Sequence, residues 1–229
     1  MVTLGSLLLA DSRLPTGGHA HSGGVEAVVE RGLLCDEADL ELFLQGRLAG
    51  TGPVVAAVAA AGCLLAAQPG SVDWRRWDAA VSARTPSSAA REASRAQGTA
   101  LLRTAARVWP SEAWEALLAL RRPHHPLVLG VAVAAAGDDP GTAASLALHH
   151  LLGGACSAAV RLLGLDPIAV AAVQARVNRL AARIALDTTS IATQAVTRPD
   201  DRLLPSGGTP LPEVLAELHA RAEVALFAS

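Results

Sequence analysis

Apolar residues recur along this chain at i, i+3, i+4 and i+7, and no stretch sustains the strand-like alternation rich in β-branched and aromatic residues. That periodicity confines the chain to helices packed on helices, so the expected fold class is all-α. The spacing predicts a short helix over 4–10, a turn over 11–18, and a helix over 22–31 ended by Gly32. Asp36 caps the next helix, where Leu40, Phe43, Leu44 and Arg47 form one stripe and Arg47 suits the negative helix end. Further helices are expected over 54–68, 72–84, from Pro86 to about Trp109, and over 127–136. A helix is expected over 143–152, and Gly153 and Gly154 allow close backbone approach before another over 156–163. Asp166 and Pro167 open the longest helix, with Ile168, Ala172, Val173, Val177, Leu180 and Ile184 as its apolar stripe. Arg176, Arg179 and Arg183 line another face of it and call for carboxylates. A polar segment rich in Thr, Pro and Gly over 187–210 reads as a flexible loop before a final amphipathic helix carrying Leu211, Leu215, Leu218 and Ala222. With no internal repeat and no long linker, residues 1–229 read as a single-domain bundle of about ten helices.

Composition narrows the function. Hydrophobic residues make up 51% of the 229 and charged ones 17%, too apolar for disorder and suited to surface buried between chains. A net charge of −2 lacks the basic footprint of a nucleic-acid binder. Every basic residue is Arg, so the phosphate-loop Lys, the Schiff-base Lys and the Ser-Lys pair are all excluded. Cys35, Cys63 and Cys156 are far apart, which suggests neither a zinc site nor a disulfide framework and fits a reducing, cytoplasmic setting. The uncharged stretch between Arg47 and Asp73 is trimmed by Gly50, Gly52, Pro53, Pro69 and Gly70 and is rich in Ala, so it reads as a buried helix and no membrane partner is expected.

The residues offer no catalytic constellation. No Ser sits in a Gly-x-Ser-x-Gly turn, the cysteines fall in or beside apolar helices, and Asp138-Asp139 precedes Pro140-Gly141 as in a chain reversal. His149 and His150 are adjacent on a helix and point about 100° apart, so they read as one packed and one exposed side chain. His124 and His125 read as loop residues. His19 and His21 stand in an extended Gly-rich segment, where alternate side chains share a face, and are the one pair suited to a transient nickel- or zinc-type contact.

Residues 7–26, which include Leu14-Pro15-Thr16-Gly17 and Ser22-Gly23-Gly24-Val25-Glu26, resemble the N-terminal signature of the urease accessory protein UreF family. Pro15, Gly17, Ser22, Gly24 and Glu26 carry the match, and Ser157-Ala158-Ala159-Val160-Arg161 is similar to the family segment before its long helix. Two features depart from the family pattern: His19 and His21 stand where aromatic residues are common, and the usual tail survives only as His219 and Leu226-Phe227-Ala228-Ser229, with Ala225 in place of Arg. The resemblance implies a non-catalytic nickel-insertion chaperone subunit that bridges UreD (also called UreH) and the GTPase UreG on apo-urease. It further implies homodimerisation and no stably bound cofactor, with nickel at most in transit. Under that reading the partner-facing residues are Pro15, Gly17, His19, His21, Ser22, Glu26, Arg161, Arg176, Arg179, Arg183, His219 and Phe227. Glu26 reads as a first-turn carboxylate on a helix dipole, and Arg161 as a tie to a carboxylate or a helix end. A helical enzyme with a concealed pocket and an unrelated helical adaptor stay open as alternatives.

Overall fold

The computed structural model describes residues 3–16, 21–68 and 72–219. Among them are eleven α-helices and no strand, in accord with the all-α bundle expected from the periodicity. In order they are α1 (Leu4–Ala10), α2 (Val25–Val29), α3 (Glu37–Ala49), α4 (Thr51–Ala66), α5 (Trp74–Ala83), α6 (Ser88–Val108), α7 (Ala113–Leu118), α8 (His125–Ala135), α9 (Pro140–Leu163), α10 (Pro167–Thr197) and α11 (Pro210–His219).

The centre is the crossing of α4 and α8, with α9 and α10 packed on α4. The two central helices touch backbone to backbone. A Cβ on Gly130 would lie 2.1 Å from the Ala59 carbonyl oxygen, and one on Gly62 2.8 Å from that of Leu127. Ala56, Ala57, Ala59, Ala60 and Ala61 are fully buried around this contact. Small side chains let the axes approach and exchange side-chain area for dense backbone packing. Gly98 of α6 plays the same part where α6 meets the entry to α8, since a Cβ there would lie 2.1 Å from the Pro123 carbonyl oxygen.

Helix starts follow the capping residues: Asp36, Asp73, Ser87, Asp139 and Asp166 each accept a backbone N–H of the first turn. Several sequence expectations need correction. Gly153 and Gly154 do not break a helix, because α9 runs unbroken through them. The segment 187–197 is not loop but the last third of α10. Thr188, Thr189 and Thr193 satisfy their hydroxyls on the carbonyls of Ile184, Ala185 and Thr189 at 2.6, 2.7 and 2.9 Å, so a Thr-rich run stays helical. The chain between α10 and α11 is tied down as well: Arg84 donates to the carbonyls of Asp201 and Pro205 at 2.7 and 3.0 Å, and Arg76 pairs with Asp201 at 2.5 Å. The buried stripe of α10 is Val170, Val173, Val177, Ala181, Ala185 and Thr188, whereas Ile168 is 79% exposed and Ala172 is exposed.

By length and hydropathy α9 alone, among the described helices, could cross a membrane, and α3 and α4 could do so together as a span bent by 50°. In this fold α9 packs against α2, α4, α8 and α10, and α4 is an interior helix. Cys63 and Cys156 are buried, and burial pushes their thiols up to about 12 and about 11; Cys35 is exposed.

Candidate functional site

The signature segment folds onto α9. Gly23 and Gly24 adopt left-handed φ values of 62° and 89°, a turn that only glycine enters without strain. This turn launches α2 with Glu26 in its first turn, and Glu26 and Ser22 are buried. A Cβ on Gly154 would touch the His21 carbonyl oxygen at 4.0 Å, so the close backbone approach expected at the glycine pair is where the signature backbone lies against α9.

Between these layers is a cleft of about 380 Å³. Its walls come from the signature (His21, Gly23, Gly24), α3 (Arg47), α4 (Thr51, Val54, Val55), α6 (Ser94, Gln97), α9 (His149, His150, Leu151, Arg161) and α11 (Pro212, Glu213, Ala216). The volume is that of a small-molecule site, with mixed apolar and polar walls.

Imidazoles crowd one side. His125 and His150 have ring centroids 5.6 Å apart, and His149 and His150 5.9 Å. The Nε2–H of His150 donates to the Leu9 carbonyl at 3.0 Å. Burial, with the neighbouring imidazoles adding to it, pulls His125 down to about 3 and His150 to about 4, so both are neutral at pH 7. Neutral imidazoles are the metal-binding form, yet no three His, Cys, Asp or Glu side chains among the described residues converge as ligands. His149 is exposed and His150 half-buried, as the sequence suggested. His124 and His125 are not loop residues. His125 begins α8, and His124 is its fully buried N-cap residue, held through Nε2 to Ser82 at 2.9 Å and Nδ1 to Ser94 at 3.0 Å. Asp78 accepts the His124 backbone N–H at 2.9 Å and pairs with Arg95 at 3.0 Å. Burial first, then the Arg95 charge, pulls His124 down to about 4, so this network is built around a neutral ring.

The other expected site residues are dispersed. Pro15 is exposed, and its carbonyl accepts the Thr104 hydroxyl at 2.7 Å. Arg161 stands in the last turn of α9 and lines the cleft. Of the three aligned arginines, Arg176 reaches Glu41 of α3 at 2.6 Å, while Arg179 and Arg183 are exposed and form no ion pair among the described residues. Gly17, His19 and Phe227 lie outside the described residues, as does the His219 side chain. The sequence reading missed Glu213 and Glu217. Glu213 accepts the Thr209 N–H at 2.9 Å, closing the start of α11. Glu217 accepts Ser87 Oγ at 2.7 Å and the Ala89 N–H at 2.9 Å, and those bonds hold its carboxyl down at about 2. Glu217 thereby ties α11 to the start of α6 while Glu213 closes the helix start; in sequence they are ordinary charges on an amphipathic helix.

Comparison with known proteins puts a family beside this geometry. The family model described as UreF matches residues 34–178. Among similar proteins, the urease accessory protein UreF of Mycolicibacterium vanbaalenii is 43% identical over 226 residues, covering 97% of each chain. That of Mycobacterium marinum is 41% identical over 230 residues and the full length of both. That of Mycobacterium tuberculosis is 41% identical over 191 residues, 83% of this chain and 87% of its own.

Proposed function

We propose that this chain, which belongs to the UreF family of urease accessory proteins, serves urease maturation as a non-catalytic subunit that bridges UreD and the GTPase UreG on apo-urease in the cytoplasm. The observation that carries this reading is the presence of two helix faces turned outward with apolar residues a lone chain gains nothing by exposing. On α11, Leu211, Val214 and Leu218 are 56%, 57% and 46% exposed at i, i+3 and i+7, while Glu217 ties the helix to the start of α6. This face suits UreD.

On α10, Ile168, Ala172, Ala175, Arg179, Ala182 and Leu186 follow one another at spacings of four and three and are all exposed. A second copy of the chain suits this stripe, which gives a homodimer with Arg179 and Arg183 at its seam. The subunit works by differential binding: it favours one nucleotide-dependent state of the GTPase and holds it beside the urease precursor. Nickel passes as cargo without a resident site, and His21, on the cleft wall, is the described signature residue suited to touch it.

The cleft keeps an enzyme reading as the alternative, although imidazoles pulled down to about 3 and about 4 are weak bases at pH 7. Deletion and complementation separate the two. Cells lacking this chain should hold unactivated urease and regain activity with the wild type. The double variant Arg179→Glu, Arg183→Glu should restore less activity while folding normally by circular dichroism. Normal urease activation in the deletion strain, or turnover of a substrate by the purified chain alone, would reject the bridging role.

A further inference from the structure

Among the described residues, every partly buried arginine but one is held by two or more acceptors. Arg84 donates to the carbonyls of Ala80, Asp201, Leu204 and Pro205, and Arg95 to Asp78, Ser82 and the Arg122 carbonyl. Arg47 leaves the last turn of α3 for the cleft, where its Nη1–H donates to the Gly23 carbonyl at 2.9 Å. Its Nε is sealed from water and makes no hydrogen bond among the described residues. No carboxylate among them lies within ion-pair distance of Arg47. Glu213 is the acid whose charge it feels, but that carboxylate accepts the Thr209 N–H instead. Burial pulls the Arg47 guanidinium down to about 10 against the opposing pull of Glu213, which leaves it cationic at pH 7 with no carboxylate among the described residues in direct contact.

We infer that the cleft binds a small monocarboxylate, its acid group paired with Arg47 and its apolar body laid along Val54, Val55 and Leu151. The planar guanidinium that lines the cleft matches a planar carboxylate in shape, with its Nη groups as the donors within reach and Nε in want of an acceptor if the side chain shifts. The His150 Nε2–H is already given to the Leu9 carbonyl, so recognition of the acid group rests on Arg47. Val54 and Val55 follow Arg47 closely in sequence on α4 and line the same cavity, so the acid head and the apolar slot share one wall. This inference does not depend on the bridging role.

Equilibrium dialysis of the full chain against radiolabelled butyrate, at fixed ionic strength in sodium chloride, tests it. The expected result is saturable binding of one butyrate per chain, at least tenfold weaker in Arg47→Gln and in Val55→Phe, which fills the slot and leaves the guanidinium intact. Butanol should not compete, and phosphate should compete at least tenfold less well than acetate. Absence of saturable binding to the wild type, or equal binding by a folded Val55→Phe variant, would overturn the proposal. Equal competition by phosphate would mark a general anion site and overturn the carboxylate assignment.

Discussion

The crossing of α4 and α8 and the cleft under the signature segment both rely on glycine, to opposite ends. At the crossing, Gly62 and Gly130 are filled by their neighbours, with carbonyl oxygens 2.8 and 2.1 Å from where a Cβ would sit. Around the cleft, Gly153 has nothing within 4 Å and Gly154 only the His21 carbonyl at 4.0 Å. One region is specified by contact and the other by space left open. The crossing is made of apolar side chains and of backbone groups already paired within their own helices, whereas the cleft gathers charges and imidazoles whose protonation depends on their surroundings. Mutation should therefore damage the first through packing, and pH should damage the second through protonation.

The largest effect expected is at the crossing. Gly130→Ala forces a methyl into the Ala59 carbonyl and should lower the free energy of unfolding by about 3 kcal/mol, read as a shift of the urea midpoint at constant slope. A loss below about 1 kcal/mol would mean that α4 and α8 can separate cheaply, and the contrast with the cleft would dissolve. Next comes the polar network under α8: His124→Ala removes two hydrogen bonds of the buried ring and leaves Ser82 with only Arg95 and Ser94 with only the His125 N–H, at a cost of about 2 kcal/mol in the same assay.

The pH dependence sharpens the comparison. His124, His125 and His150 have folded-state values of about 4, 3 and 4, below the ordinary 6.5, so between those limits the unfolded chain binds more protons. Their contribution is fully present above pH 6.5 and is lost as pH falls toward 4. Asp138, held near 2 by hydrogen bonds that include the Thr3 N–H, loses its share only below the ordinary 3.8. Urea midpoints should fall from pH 7 to pH 5, and His150→Gln should flatten that decline by about 1 kcal/mol. An unchanged slope in the variant would show that His150 titrates normally. The smallest effect has the opposite sign. Gly153→Ala meets no atom in mid-helix and should stabilise by about 0.5 to 1 kcal/mol, seen as a rise in Tm.

The fold was legible where one physical term decides it. Caps at Asp36, Ser87 and Asp166 mark helix starts because a side-chain oxygen on the first amides is a local interaction. Thr-rich and Gly-rich composition misled at 187–197 and at Gly153-Gly154, where back-bonded hydroxyls and packing against α4 keep the helix intact. The signature was visible as a motif, but its partner in space was not. Arg47, read as a helix-end charge, becomes the unmatched cation of a cleft only when Gly23, α4 and α11 close around it. Such convergence depends on contacts far apart in sequence, which periodicity does not encode.

The most direct test of the bridging role is size-exclusion chromatography with light scattering on the purified chain mixed with UreD and UreG and a nonhydrolysable GTP analogue. A bridging subunit predicts one species containing all three proteins, with two copies of this chain, and no UreD–UreG species when the chain is omitted. Stable association of UreD with UreG in its absence, or elution of this chain alone from every mixture, would contradict it.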